Sequence, residues 1–329
     1  MLKYKWMYIA VFCCAMFAAC EQTSNVPDEN APISFGTGRT HASGEYNAKL
    51  WGYTIGTNGY WVFAGTTTDG LTDGENARYD AADESLTPAV TRYWADNQTY
   101  NFYSIWPIVP QSTVSSVKFN KSNSQLSFSY GSIERQLDLC LAAAINEQGG
   151  ADRNTPVQMT YKHALSKVQF YGFSSTAGIT AQLTNFTITV PKSATAVCTL
   201  TEDTEERTTD ENNVTTEYPL DITYTLASET SSLSSTGEFA LQDETTNPNG
   251  TQVLEKLVLP MQGGTFHVAA TYKIGNNTKT VETNITATWQ PGKNYIYKFK
   301  IQPAGPIVFA DEVIINDWDE EIPAGDVQF

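Results

Sequence analysis

The chain has 329 residues, 41% of them hydrophobic and 12% aromatic, long enough for about two ordinary domains of ~100–200 residues. Twenty Lys and Arg stand against 36 Asp and Glu, a formal net charge of −16, and no basic cluster exceeds a lone pair. That excludes a nucleic-acid or anionic-lipid partner recognised by charge, because both demand a dense cationic face. The residue usage leans to Thr, Ser, Asn, Tyr, Phe and Trp in short runs cut by Gly, Pro and Asn, which fits pleated, half-buried surfaces and reads as all-β.

Residues 1–20 carry Lys3 and Lys5, then the apolar run Met7–Phe17, then Phe17-Ala18-Ala19-Cys20. This is the pattern of a secretory signal whose apolar stretch is too short to span a bilayer as an anchor. Its end matches a bacterial lipobox, with Phe17 in the place of the usual Leu, so Cys20 is the expected lipidation site and new N-terminus. Removing the leader takes away two lysines and no acids, moving the charge from 20 − 36 to 18 − 36, or −18. Residues 21–31 are polar and suit a tether between lipid and fold.

Pro32–His41 reads P-I-S-F-G-T-G-R-T-H, a short apolar strand that runs into a glycine-flanked arginine. Leu50–Gly56 and Gly59–Ala64 form an expected hairpin around Thr57-Asn58, since Asn-Gly tolerates the positive φ such turns demand. Gly65–Asp83 reads as a long polar loop. Strands are expected at Val90–Trp94, at Tyr100–Trp106 with a stop at Pro107, at Val114–Phe119, Gln125–Tyr130 and Leu137–Ile145. That gives about seven strands before the Gly149-Gly150 loop, enough for one sandwich.

From Gln158 the pattern restarts, with expected strands at Val168–Phe173, Leu183–Val190, Tyr218–Leu226, Gly237–Leu241, Val253–Leu259, Phe266–Ile274, Thr280–Trp289, Asn294–Ile301 and Val313–Trp318. Phe266, Val268, Ala270, Tyr272 and Ile274 keep period two without a break. Thr201–Glu217 is too polar to bury and reads as an exposed loop. The expected organisation is a signal peptide over 1–20, a tether over 21–31, a first sandwich over 32–157 and a second over 158–329.

No constellation for catalysis stands out. There is no G-x-S-x-G, phosphate-binding loop or dinucleotide fingerprint, so the chain is not expected to be an enzyme and no cofactor is expected. His41, His163 and His267 lack local signatures; His163 reads as a packing residue and His267 as an exposed strand residue. Asp69–Asn76 has the acids and glycines of a calcium loop without the register that aims its oxygens inward. Cys140 and Cys198 lie in segments that read as strands of different domains, which favours buried thiols over a disulfide. No Cys and His stand at metal-ligand spacing, so no metal site is expected. Trp51, Tyr60, Trp61 and Tyr103 could present a sugar-stacking face, though aromatics at period two more often form core.

Several blocks in order resemble the fimbrillin family of Bacteroidales surface proteins, the subunits of type V pili. They are the leader ending at Cys20, the I-S-F strand before Arg39, Y-N-F-Y-S-I-W-P at Tyr100–Pro107, H-A-L-S-K-V at His163–Val168, W-Q-P-G-K-N-Y-I-Y-K-F at Trp289–Phe299 and V-I-I-N-D-W at Val313–Trp318. The resemblance implies two transthyretin-like β-sandwich domains in tandem and an exported outer-membrane lipoprotein, surface-exposed and assembled into fimbriae for adhesion. It implies cleavage by a trypsin-like, arginine-specific protease, which here would fall between Arg39 and Thr40. Ile33, Ser34 and Phe35 would be the displaced strand, and other fimbrillin subunits would be the partners through donor-strand exchange. Val313, Ile314, Ile315 and Trp318 mark the candidate donor segment, because it ends the chain. The alternative expectation is a non-polymerising surface lipoprotein that binds glycans through exposed aromatics.

Overall fold

The computed structural model describes residues 31–37, 47–80, 83–108, 113–148, 154–200, 208–209, 213–214, 220–303 and 305–318. The expected lipidation residue Cys20 and the expected cleavage residues Arg39 and Thr40 lie outside them, as does most of the polar stretch 201–217. The described residues are all-β, with one 3-10 turn at Ile133–Arg135 and no α-helix.

An eight-stranded sheet runs β3 (Trp61–Phe63), β2 (Asn47–Thr54), β6 (Glu75–Asp80), β7 (Ser85–Pro88), β1 (Phe35–Thr37), β12 (Val157–His163), β11 (Cys140–Gln148) and β8 (Thr99–Ile108). β8 also pairs with β2, so the sheet closes on itself and β3 hangs off the ring. The first unit is therefore no simple open sandwich. Seven strands form a barrel-like ring filled by their inward residues, among them Phe35, Leu50, Tyr79, Phe102, Trp106, Val157 and Met159, with Phe63 of β3 packed among them. Closure leaves no free edge around that core.

A second sheet runs β18 (Leu220–Leu226), β15 (Ala194–Leu200), β10 (Gln125–Tyr130), β9 (Val114–Asn120), β5 (Leu71–Thr72) and β4 (Thr67–Thr68). Its Phe119, Leu126 and Phe128 cover Trp51, Tyr103 and Ile105 on the outer face of the ring. Trp51 donates from Nε1 to the Thr72 carbonyl, and Gly74 (φ +77°) sits against its indole, where a Cβ would approach within 2.7 Å of the ring.

Two further sheets stack face to face. One runs β20 (Thr251–Val258), β13 (Ser166–Ser174), β23 (Lys293–Ile301) and β24 (Ile307–Phe309), with β25 (Ile314–Asp317) also on β23. The other runs β19 (Thr230–Leu241), β14 (Ala181–Pro191), β21 (Met261–Ile274) and β22 (Asn277–Trp289). Phe170, Phe186, Phe266, Trp289, Tyr297 and Phe299 fill the space between them. A two-stranded pair, β16 (Thr208–Thr209) and β17 (Asn213–Val214), completes the inventory.

The expected cut at 157/158 falls on the first residue of β12, which pairs with β1 and β11 of the ring. β15 pairs with β10, so strands from later in the chain extend the second sheet. The junction is stitched by side chains as well. Tyr224 donates to the Ala164 carbonyl at 2.5 Å. Gln136 takes the Leu257 amide on Oε1 at 2.8 Å and donates from Nε2 to the Leu257 carbonyl at 3.1 Å, capping the outer edge of β20 much as another strand would.

Several expected elements fall in place: the hairpin β2–β3, β8 through β11, and β13, β14 and β18 through β23. Three expectations are corrected. Residues 65–83 are not a loop, because β4, β5 and β6 form there, with Ala77 and Tyr79 facing the ring core and Arg78 facing out. β8 does not stop at Pro107 but runs to Ile108. Val90–Trp94 is no regular strand, and joins the sheet through one bridge, Tyr93 to Pro32.

The candidate strand-exchange surface

Residues 31–37 behave as one extended segment whose pleat alternates faithfully. Ala31, Ile33, Phe35 and Thr37 are buried, at 0, 3, 4 and 3% exposure, while Pro32, Ser34 and Gly36 look outward. Phe35 meets the edges of Phe63 and Phe102 at centroid distances of 5.7 and 5.1 Å, the T-shaped arrangement that aromatic quadrupoles favour.

The backbone of this segment is satisfied from both flanks. On one side Ile33 donates to the Arg92 carbonyl at 2.8 Å, Trp94 donates to the Ala31 carbonyl at 3.1 Å, and Thr37 donates to the Glu84 carbonyl at 2.7 Å. On the other, Val157 donates to the Ser34 carbonyl at 2.8 Å, and Phe35, Gly36 and Thr37 run parallel to Val157, Gln158 and Met159. The segment thus lies between β7 and β12 and closes the ring. Thr37 ends β1 two residues before Arg39.

The other candidate segment is seated differently. β25 lies antiparallel on β23, with Ile314 to Asp317 opposite Ile296 to Lys293. No further strand covers its outer side among the described residues, and Ile315 is 55% exposed. What anchors this segment is Trp318. Its indole lies flat on the His163 imidazole at 4.1 Å and 9°, its amide donates to the Gly292 carbonyl at 3.1 Å, and Lys167 Nζ donates to its carbonyl at 3.2 Å while sitting 5.1 Å from the ring. Lys293 and Asp317 form an ion pair across the two strands, and Val313 packs partly against the main core.

The remaining candidates separate by burial. Trp51 and Tyr103 are core residues at 0 and 2% exposure, so they cannot take part in a sugar-stacking face; Tyr60 is half exposed and Trp61 lies half-buried beside Lys121. Asp69 and Gly70 make the positive-φ turn between β4 and β5, and Asp73 accepts from the Thr66 amide at 2.6 Å, so this stretch is spent on turn geometry. Cys140 and Cys198 are buried thiols in separate cores, and burial pushes the Cys198 thiol up to about 12. Strand pairing brings together Asp138, Cys140 and His163, side chains of metal-ligand chemistry whose grouping spacing along the chain conceals. His267 faces Glu282 at 3.6 Å on an exposed surface.

These features define a class of protein: an all-β chain whose N-terminal strand closes a ring from within, and whose last described strand rests on an open edge. A fimbrillin-like family model matches residues 54–318, and the chain belongs to that family. Among curated proteins no relative matches. Solved structures resemble it at low identity. A Bacteroides uniformis protein provisionally named for cell adhesion shares 16% identity over 88% of this chain and 98% of its own, with a TM-score of 0.48. A fimbrial assembly protein from Parabacteroides distasonis shares 11% over 87% and 99%, at 0.41. The tip fimbrial protein Mfa3 from Porphyromonas gingivalis, truncated at its C-terminus, shares 9% over 87% and 98%, also at 0.41. Family membership rests on the match over residues 54–318, not on these three likenesses.

Proposed function

We propose that this chain is a structural subunit of a bacterial surface fimbria that serves adhesion. It is exported as a lipoprotein anchored in the outer membrane through Cys20, cut between Arg39 and Thr40 by a trypsin-like protease, and polymerised by donor-strand exchange. Its two units, over 32–157 and 158–329, are read as tandem transthyretin-like folds that share strands at their junction. The observation that carries the proposal is the seating of residues 31–37. They are bonded on both flanks, they fill the ring core with Ile33 and Phe35, and they end two residues short of an arginine between Gly38 and Thr40.

Removing that segment leaves unpaired backbone groups on β7 and β12 above an apolar slot, which an extended strand from a neighbouring subunit satisfies by strand addition. The segment Val313–Phe329, with Val313, Ile314, Ile315 and Trp318 at its start, is the proposed donor, because among the described residues β25 is held on one edge only. The glycan-binding alternative loses support from the burial of Trp51 and Tyr103.

The test is to treat the purified precursor with an arginine-specific protease, identify the new N-terminus, and follow assembly on a gel. Cleavage after Arg39 followed by a ladder of oligomers is expected, and Arg39→Gln should abolish both. A precursor that stays intact at Arg39, or that is cut there and remains monomeric, would overturn the proposal.

A further inference from the structure

The antiparallel register of β11 and β12 places Cys140 directly opposite His163, and residues so opposed project from the same face of a sheet. Asp138 lies two residues before Cys140, just ahead of the first residue of β11, and its carboxylate reaches the same point through the His163 imidazole. The result is one donor atom of each chemistry around a common point. His163 Nδ1 is 2.9 Å from Asp138 Oδ1 and 3.6 Å from Cys140 Sγ, and all three donor atoms lie within 4.8 Å of one another.

A tetrahedral ion bonded to nitrogen, oxygen and sulfur at ~2.0–2.3 Å holds its donors roughly 3.3–3.6 Å apart. Small side-chain rotations bring the three atoms to that spacing. The surroundings suit such a site. Cys140 is 1% exposed, so a metal-bound thiolate is shielded from oxidants. The Asp138 side chain is 28% exposed against 11% for His163, which leaves a route in from solvent on the carboxylate side. The flat stack of Trp318 on the imidazole fixes the ring plane. Thiolate and imidazole disfavour the hard ions Mg²⁺ and Ca²⁺ and favour borderline ones.

We propose that Asp138, Cys140 and His163 bind a divalent transition metal of the Zn²⁺ class, with a fourth coordination position left to water. Binding exchanges the Cys140 thiol proton for the metal and involves no redox change.

Cobalt(II) titration of the full-length chain tests this, because a thiolate bound to Co²⁺ gives a near-ultraviolet charge-transfer band and four-coordination gives intense visible absorption. One Co²⁺ per chain with both signatures is expected, displaced by Zn²⁺. Cys140→Ser should lose the charge-transfer band, whereas Cys198→Ser should keep it; because the first variant retains the three cysteines of the leader, loss of its band also excludes them as the source. Asp138→Asn and His163→Gln, checked for folding by circular dichroism, should each weaken binding about tenfold or more, on the scale of disturbed metal sites. A folded wild-type chain that shows no band at millimolar Co²⁺ overturns the proposal. So does a band that survives Cys140→Ser, or an affinity unchanged in both Asp138→Asn and His163→Gln.

Discussion

The two terminal strands of the described chain make the same kind of backbone bond but occupy opposite situations. β1 sits inside a closed ring, bonded on both flanks, with its alternate side chains in the core. β25 sits on an edge, bonded on one flank, with Ile315 more than half exposed. Peeling off an edge strand gives up one ladder and exposes little apolar surface. Extracting a ring strand gives up two ladders and opens a core. The first can happen by thermal fraying; the second calls for something irreversible, which the proposed cleavage after Arg39 would supply. Under the proposed function this asymmetry would keep the donor strand nearly available while the receiving slot stays shut until the proposed cleavage.

The largest expected effect tests the ring. Phe35→Ala empties a site touched by Phe63 and Phe102 and should destabilise the uncut precursor by ~3–5 kcal/mol, seen as a lower denaturation midpoint. A change below about 0.5 kcal/mol, the size of an ordinary surface effect, would mean that β1 is not integral to the ring core. Next comes the anchor of the edge strand. Trp318→Ala removes the stack on His163, worth about 0.5–1.5 kcal/mol, but its distinctive effect is local: amide exchange should rise along β25 while β1 and β12 stay protected. Uniform loss of protection would erase the distinction between the two strands.

A third prediction concerns pH. Asp243 accepts from the Gly178 amide, the Thr246 hydroxyl and the Thr245 and Thr246 amides, and these donors, the Gly178 amide foremost, hold its carboxyl below the ordinary range. A carboxyl depressed by folding stabilises fully above its unfolded value of ~3.9, and that contribution is lost as pH falls through the lower folded value. The thermal midpoint of Asp243→Asn should therefore lie below wild type at neutral pH and converge with it in acid. The smallest effect belongs to the exposed edge: Ile315→Ser should stay within about 0.5 kcal/mol, in contrast to Ile33→Ser, which buries a hydroxyl in the ring.

How far the sequence announces these features depends on how local their causes are. The hairpin pivoting at Thr57-Asn58 and the unbroken alternation from Phe266 to Ile274 are fixed by neighbours along the chain, and both elements form where expected, although the positive φ at this turn falls on Gly56 rather than on Asn58 or Gly59. The strand character of Ile33–Phe35 was equally legible, since apolar residues at alternate positions suffice for it. Ring closure was not, because β1 finds its parallel partner β12 more than a hundred residues away, from Phe35 to Val157, and no local pattern encodes that pairing. The polarity of residues 65–83 hid β6, whose outward Asn76 and Arg78 masked the inward Ala77 and Tyr79. The Asp138, Cys140 and His163 group was concealed for the same reason as the ring. Its D-x-C half is visible in sequence, but His163 joins it only through cross-strand register.

The orientation of β1 has one more consequence. It runs parallel to β12 and antiparallel to β7, so the slot between them is not symmetric end to end. An incoming strand laid in reverse would meet both neighbours with the wrong ladder. In the strand exchange proposed above, an incoming strand laid as β1 is would restore both ladders, so the slot would select its donor in one chain direction.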